Sequence, residues 1–281
     1  MNLQLKCNTY TIIFTSIFNM ILLTGSSGFI GKNFCNRLSD HDVLLLDVND
    51  AYRFLRDFDD WQKISLIIHQ GAISSTTEKN IPTIYHHNVA FTLFLLEYAI
   101  QYEIPIKYAS SASVYGNTQG QINPLNQYAI SKLQIDYCVL DNLDKFPLIQ
   151  GFRYFNVYGE GEEHKGDQAS PVSKFTKQVK ETGKIKLFEG SDQFVRDFVC
   201  VDDVVDIVLN NNAPSGIYDI GTSSPISFQE VAELVAEKEG GEIEYIPFPE
   251  HLKGKYQTYT CADMSWLKDY KFKTVKEYLQ K

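Results

Sequence analysis

Ile21-Leu22-Leu23-Thr24-Gly25-Ser26-Ser27-Gly28-Phe29-Ile30-Gly31 decides how this chain is read. It is an apolar strand, then G-x-x-G-x-x-G, then the start of a helical pattern. Each glycine answers a separate steric demand. Gly25 permits a tight turn off the strand, Gly28 lets backbone approach a pyrophosphate, and Gly31 lets helix and strand pack closely. The helix start adds N–H donors and positive potential where phosphates would lie. Glycine spacing alone is a weak signal. The strand before it and the helix after it turn it into a dinucleotide-binding reading.

Around this loop, the first 155 residues alternate short apolar runs with longer helical patterns, which predicts parallel strands joined by crossover helices. Strands are expected over 20–24, 43–47, 66–69, 106–110 and 148–153, and helices over 29–38, 83–102 and 128–143. Ile104-Pro105 breaks the second of these helices. The stretch from Asp47 to His69 is short, with room for a reduced strand or helix only. Beyond 156 a polar, Gly-rich stretch leads to helices over 169–181, 202–210 and 228–239 and strands over 184–188, 216–220 and 243–246. The fold class is therefore α/β: a doubly wound parallel Rossmann sheet over 20–155, with a smaller α/β substrate-binding lobe over 156–281. Some elements of that second half are expected to return to the sheet. Residues 1–19 read as an extension outside the fold.

Asp47 ends the predicted second strand, where a carboxylate accepts hydrogen bonds from an adenosine ribose and repels a 2′-phosphate, favouring NAD over NADP. A surface Asp starting a turn would look the same. Arg53 and Arg56 follow and could instead meet a 2′-phosphate, so these residues leave the cofactor form open.

A second constellation lies further on. Ser110-Ser111-Ala112-Ser113-Val114-Tyr115-Gly116 stands at a strand's C-terminal end, where open α/β sheets place ligands. Tyr128-Ala129-Ile130-Ser131-Lys132 follows on a helix, with Tyr128 and Lys132 on one face. A phenol is a poor base at its free pKa of about 10. A nearby ammonium and an oxidised nicotinamide would both favour the phenolate. Lys132 can also hold the nicotinamide ribose, and Ser111 can hydrogen-bond a reacting hydroxyl. On its own, Y-x-x-x-K is a common helical surface pair. Beside a phosphate loop and a serine-rich strand end it reads as oxidoreductive machinery.

From Met20 to near its C-terminus the chain resembles the extended short-chain dehydrogenase/reductase family of sugar-nucleotide enzymes. The narrower matches are Gly71-Ala72-Ile73-Ser74-Ser75-Thr76-Thr77-Glu78, Arg153-Tyr154-Phe155-Asn156-Val157-Tyr158-Gly159, His164-Lys165-Gly166, Phe188-Glu189-Gly190-Ser191, Arg196-Asp197-Phe198-Val199 and Leu252-Lys253-Gly254-Lys255-Tyr256-Gln257. They resemble the branch that inverts C6 of the heptose in an ADP-activated precursor of lipopolysaccharide core. The resemblance implies a tightly bound NADP, with NAD possible, lined by Phe29, Ile30, Asp47, Gln70, Gly71, Ala72, Ile73, Ser74, Asn88, Lys132, Val157 and Lys165. It implies Tyr128 and Lys165 as two acid/bases. Asn156, Phe188, Glu189, Gly190, Ser191, Arg196 and Tyr256 would hold the sugar nucleotide, Arg196 suiting a diphosphate through its planar fork. Two positions depart from the pattern: Asp167 stands where the family has Ser, and Lys174 where it has a substrate-contacting His. Other sugar-nucleotide epimerases or reductases, such as a 4-epimerase, and a catalytically silent cofactor-binding protein are the alternatives. A 4,6-dehydratase would need an Asp-Glu pair where Ala112-Ser113 stands.

Composition agrees with a soluble small-molecule enzyme. The 281 residues are 44% hydrophobic and 22% charged, and 26 basic against 35 acidic residues give a net charge of −9. A net-acidic chain without a basic cluster is a poor partner for nucleic acid. Cys7, Cys35, Cys138, Cys200 and Cys261 lie far apart with no C-x-x-C pair, so neither a zinc cage nor a disulfide framework is expected and a reducing cytoplasm is. The apolar run from Thr11 to Leu23 falls short of the ~20 residues that span a bilayer. No membrane partner and no metal are expected, and a homo-oligomer is.

Overall fold

The computed structural model describes residues 19–118, 120–250 and 257–280. All but the last residue of the expected 1–19 extension therefore lie outside the described residues. The elements run β1 (Met20–Thr24), α1 (Phe29–Arg37), β2 (Val43–Leu46), α2 (Ala51–Asp57), β3 (Ile64–His69), α3 (Ile81–Ile84), a π-helical turn (Tyr85–Ala90), α4 (Phe91–Gln101), β4 (Ile106–Ser111), α5 (Gln127–Leu140) and β5 (Ile149–Tyr154). There follow β6 (Asn156–Tyr158), α6 (Pro171–Thr182), β7 (Lys184–Phe188), β8 (Val195–Arg196), β9 (Phe198–Cys200), α7 (Val201–Asn210), β10 (Gly216–Ile220), β11 (Ile226–Ser227), α8 (Phe228–Glu239), β12 (Glu242–Ile246) and α9 (Val275–Leu279).

Six strands form one parallel sheet in the order β10-β5-β4-β3-β1-β2. Its central strands are continuous apolar runs because both faces are covered. Trp61, Leu95, Ala99, Ile135 and Val139 pack on one face. Phe34, Val204, Val205 and Val208 pack on the other, where α1 meets α7. β10 and α7 come from the second half of the chain. The rest of that half builds a third apolar cluster around Phe175, Val179, Ile185, Leu187, Val231 and Val235, with β7 paired to β12. Among the described residues, no helix is long and apolar enough to cross a membrane.

The structure fills in the Asp47–His69 crossover and moves several element bounds. The Asp47–His69 crossover holds α2 and a short 3₁₀ turn but no strand, so β2 is the sheet's edge and β1 lies directly between β2 and β3. The second strand stops at Leu46, leaving Asp47 one residue beyond it. The expected 83–102 helix is interrupted by the π-helical turn. The helix expected from 169 starts at Pro171, because the Ser170 hydroxyl caps Ser173 N–H and Pro171 has no N–H to satisfy.

Candidate active site

Strand order reverses at β1, the place where open α/β sheets bind ligands. The loops after β1 and β3 touch there. Gly25 has φ 70°, and a Cβ on it would lie 2.5 Å from the Gly71 nitrogen. A Cβ on Gly31 would lie 2.0 Å from the Gly25 carbonyl oxygen. Both glycines are therefore demanded by the protein's own backbone. Gly28 is different: a Cβ there meets only the Gly25 oxygen, at 3.3 Å.

Two cavities share Gly25, Gly28, Gln70 and Ala72 as walls. One, of about 280 Å³, runs past Asp47, Val48, Gly71, Ile73, His87 and Phe91. The other, of about 540 Å³, reaches Ser111, Tyr128, Lys132, Asn156, Val157 and Lys165, with Phe29, Ile30 and Ser74 also on its wall. The glycine cradle fits a dinucleotide pyrophosphate. So does Gln70, whose buried Nε2 has no partner among the described residues while its Oε1 accepts from Tyr154. At the far end, Asp47 Oδ2 accepts from Ser26 Oγ at 2.7 Å and Ser27 N at 2.9 Å. Asn88 stands behind the wall: its amide holds both backbone groups of Ile73 and donates to Ser131 Oγ, tying the 71–74 loop to α5.

α5 starts where it does because Asn126 caps it, accepting from Ala129 N at 2.9 Å. Tyr128 thus falls in the first turn and Lys132 one turn on. Lys132 is buried and donates to the Ala109 carbonyl at 2.7 Å; burial lowers its pKa to about 8. One turn further, the buried Asp136 accepts from Tyr108, Ser110 and Arg153 at 2.9–3.0 Å, fixing α5 against the strand that ends in Ser111. Burial raises the Tyr128 pKa and a Ser111 hydrogen bond opposes the rise, while the Lys132 ammonium donates to the Ala109 carbonyl.

Lys165 comes from the segment after β6 and places Nζ 5.2 Å from the Phe29 ring centroid. Burial lowers its pKa, Glu162 opposes this, and Lys174 adds to it. On the sugar side, Phe188, Glu189, Gly190, Ser191 and Arg196 do not line either cavity. Arg196 is buried, donates to the Val195 and Gln257 carbonyls and lies over Phe228. Ser191 Oγ is buried with no partner among the described residues. Lys174 faces a neighbouring groove with Glu162. Tyr256 and the Asp167 side chain lie outside the described residues. Tyr154, Phe155, His164 and Gln168 line the same cavity without being among the expected site residues, although the first three fall within the motifs quoted above. Among the described residues, no His, Cys, Asp or Glu group is arranged to hold a metal.

Below the site, His69 is fully buried between the hydroxyls of Thr24 (2.6 Å) and Thr92 (2.8 Å), and burial pushes its pKa down from 6.5 to about 3. Folding then favours the neutral ring. Its contribution is complete above pH 6.5 and lost as pH falls towards 3. The unfolding free energy should drop by about 1.4 kcal/mol per pH unit from this group alone across that window. Urea titrations of the parent and His69→Asn at several pH values test it. Equal slopes for the two would remove His69 as the cause.

The chain belongs to the NAD dependent epimerase/dehydratase family, whose profile matches residues 21–221. It is an NAD(P)-dependent enzyme of the epimerase class. It superposes on the ADP-L-glycero-D-manno-heptose-6-epimerase of Helicobacter pylori with a TM-score of 0.80 at 28% identity, over 94% of each chain. Its fold is also that of the UDP-glucose 4-epimerase of Thermotoga maritima with UDP-glucose (TM-score 0.79, 23% identity, 93% of this chain and 97% of that). Pseudomonas aeruginosa RMD complexed with NADPH is a third (TM-score 0.76, 20% identity, 93% and 96%).

Proposed function

We propose that this protein is an ADP-L-glycero-D-manno-heptose 6-epimerase, interconverting the two C6 diastereomers of an ADP-heptose. The supporting observation is that two proton carriers from different elements, Tyr128 on α5 and Lys165 after β6, share one cavity wall with the dinucleotide cradle. When bound, the nicotinamide supplies a reversible two-electron sink for the carbinol carbon, so no net oxidation results. Gly25, Gly28, Gly31, Gln70 and Lys132 would hold the dinucleotide. An exocyclic carbinol can turn about C5–C6 and offer its second face without moving the nucleotide. Each face then needs its own proton acceptor and donor. Tyr128 Oη moves the hydroxyl proton on one face and Lys165 Nζ on the other, while Ser111 Oγ orients the hydroxyl. The test is incubation of the purified protein with ADP-D-glycero-D-manno-heptose, following both diastereomers by NMR, with UDP-galactose in parallel. Conversion of UDP-galactose but not ADP-heptose would make it a 4-epimerase instead.

We further infer NAD as the working cofactor, against the NADP that the family resemblance implies. Asp47 is anchored beside the phosphate loop, and the two downstream cations are engaged, Arg53 by Asp50 and Arg56 by Asp57. A 2′-phosphate would meet the carboxylate with no free cation from this pair. Asp47→Ala should narrow the preference for NAD over NADP by about tenfold, or ~1.4 kcal/mol. Fluorescence titration of both dinucleotides reads this, and a parent that prefers NADP would refute it.

A further inference from the structure

Glu162 is 1% exposed and stands between the two ends of the segment that carries Lys165. Its Oε1 accepts from Gly159 N at 3.2 Å and from Ser170 Oγ at 2.7 Å; its Oε2 accepts from Ser170 N at 2.7 Å. Its main-chain carbonyl accepts from Lys165 N at 2.9 Å. Ser170 meanwhile caps α6. One carboxylate therefore joins the exit of β6, the 3₁₀ turn bearing Lys165 and the first turn of α6. A buried carboxylate is costly unless its oxygens are hydrogen-bonded, and three donors meet that need here. Ser170 stands on the wall of the cavity that holds Tyr128, whereas Glu162 does not line it.

We propose that Glu162 is a positioning residue for Lys165: its carboxylate clamps residues 159–170 so that the lysine amine is held over Phe29 on the wall of the cofactor cavity. This rests on the acid/base role proposed for Lys165. The charge matters as well as the clamp. Glu160, Glu163 and His164 lie on the same segment, Lys174 faces Lys165 from α6, Tyr278 faces the glutamates from α9, and Tyr128 and Lys132 stand across the cavity. Of these, Glu162 favours the protonated amine and Lys174 the neutral one. The two act on Lys165 with opposite signs.

The test measures the Lys165 amine directly. The full chain, loaded with its dinucleotide, is labelled with limiting acetic anhydride from neutral to alkaline pH, and the Lys165 peptide is quantified by mass spectrometry. Glu162→Gln, which keeps the shape and removes the charge, should move the labelling midpoint to lower pH; Lys174→Gln should move it to higher pH. In turnover, Glu162→Ala should cost about 100-fold in kcat with a much smaller change in KM, as misplacement of a reacting group does. Ser170→Ala, which deletes one donor, should fall between it and the parent. If Glu162→Ala does not fold, Glu162→Gln and Ser170→Ala still decide. An unmoved midpoint in Glu162→Gln, or parent-rate turnover in Glu162→Ala, overturns the proposal. A parent that never converts ADP-heptose would defeat the proposed function while the labelling still reads the clamp.

Discussion

Tyr128→Phe is expected to lower epimerisation by about 10²–10⁴-fold, the usual share of one acid/base group, while the dinucleotide stays bound. The substitution keeps the aromatic volume and deletes only Oη. Lys132 keeps its bond to the Ala109 carbonyl, and the glycine cradle is untouched, so cofactor retention should not change. Bound dinucleotide measured by absorbance, set beside turnover followed by NMR, separates the two effects. Near-parent turnover would show that Tyr128 carries no proton in the reaction.

Lys165→Met should lose epimerisation by a similar ~10²–10⁴-fold yet keep chemistry on the Tyr128 face. Methionine retains an unbranched apolar stem against Phe29, so the wall persists while the amine is gone. The distinguishing measurement is dismutation of an aldehyde analogue of the sugar nucleotide, which needs one proton carrier only. Dismutation surviving in Lys165→Met and failing in Tyr128→Phe is the two-carrier signature. Epimerisation at the parent rate in Lys165→Met would leave Lys165 a bystander. Since burial and Lys174 both favour the neutral amine, the Lys165 face should work as a base at lower pH than a solvated lysine permits.

How much of the fold and site is legible in the sequence depends on the range of the forces involved. Gly31 is legible because its constraint is local, the Gly25 carbonyl six residues back leaving no room for a side chain; Gly25 is legible by the turn it makes off the strand, although the backbone it meets, at Gly71, comes from the loop after β3. Tyr128 and Lys132 are legible because helical spacing alone puts them on one face. Asp47 stands out too, but the strand before it reads one residue too long, since nothing in Val43–Leu46 marks where pairing ends. Asn88 reads as part of the cofactor wall, yet its amide is used on Ile73 and Ser131, partners that only the fold brings together. Glu162 is invisible for the same reason: among neighbouring acidic residues, only the return of the chain at Ser170 sets it apart. The two-residue strands β8 and β11 are too short for any periodicity to register.

The π-helical turn before α4 has a consequence for how this sequence can drift. An α-helix advances about 100° per residue, and a π turn holds one more residue than that phase allows. Tyr85–Ala90 therefore absorbs one extra residue between α3 and α4. Asn88 inside it grips the 71–74 loop and α5, while His87 beside it lines the Asp47 cavity. Deleting a single residue here would let the segment relax to a continuous α-helix while both flanks keep their seats. The residues within the turn would change face, and the grip of Asn88 on the 71–74 loop would go with the bulge.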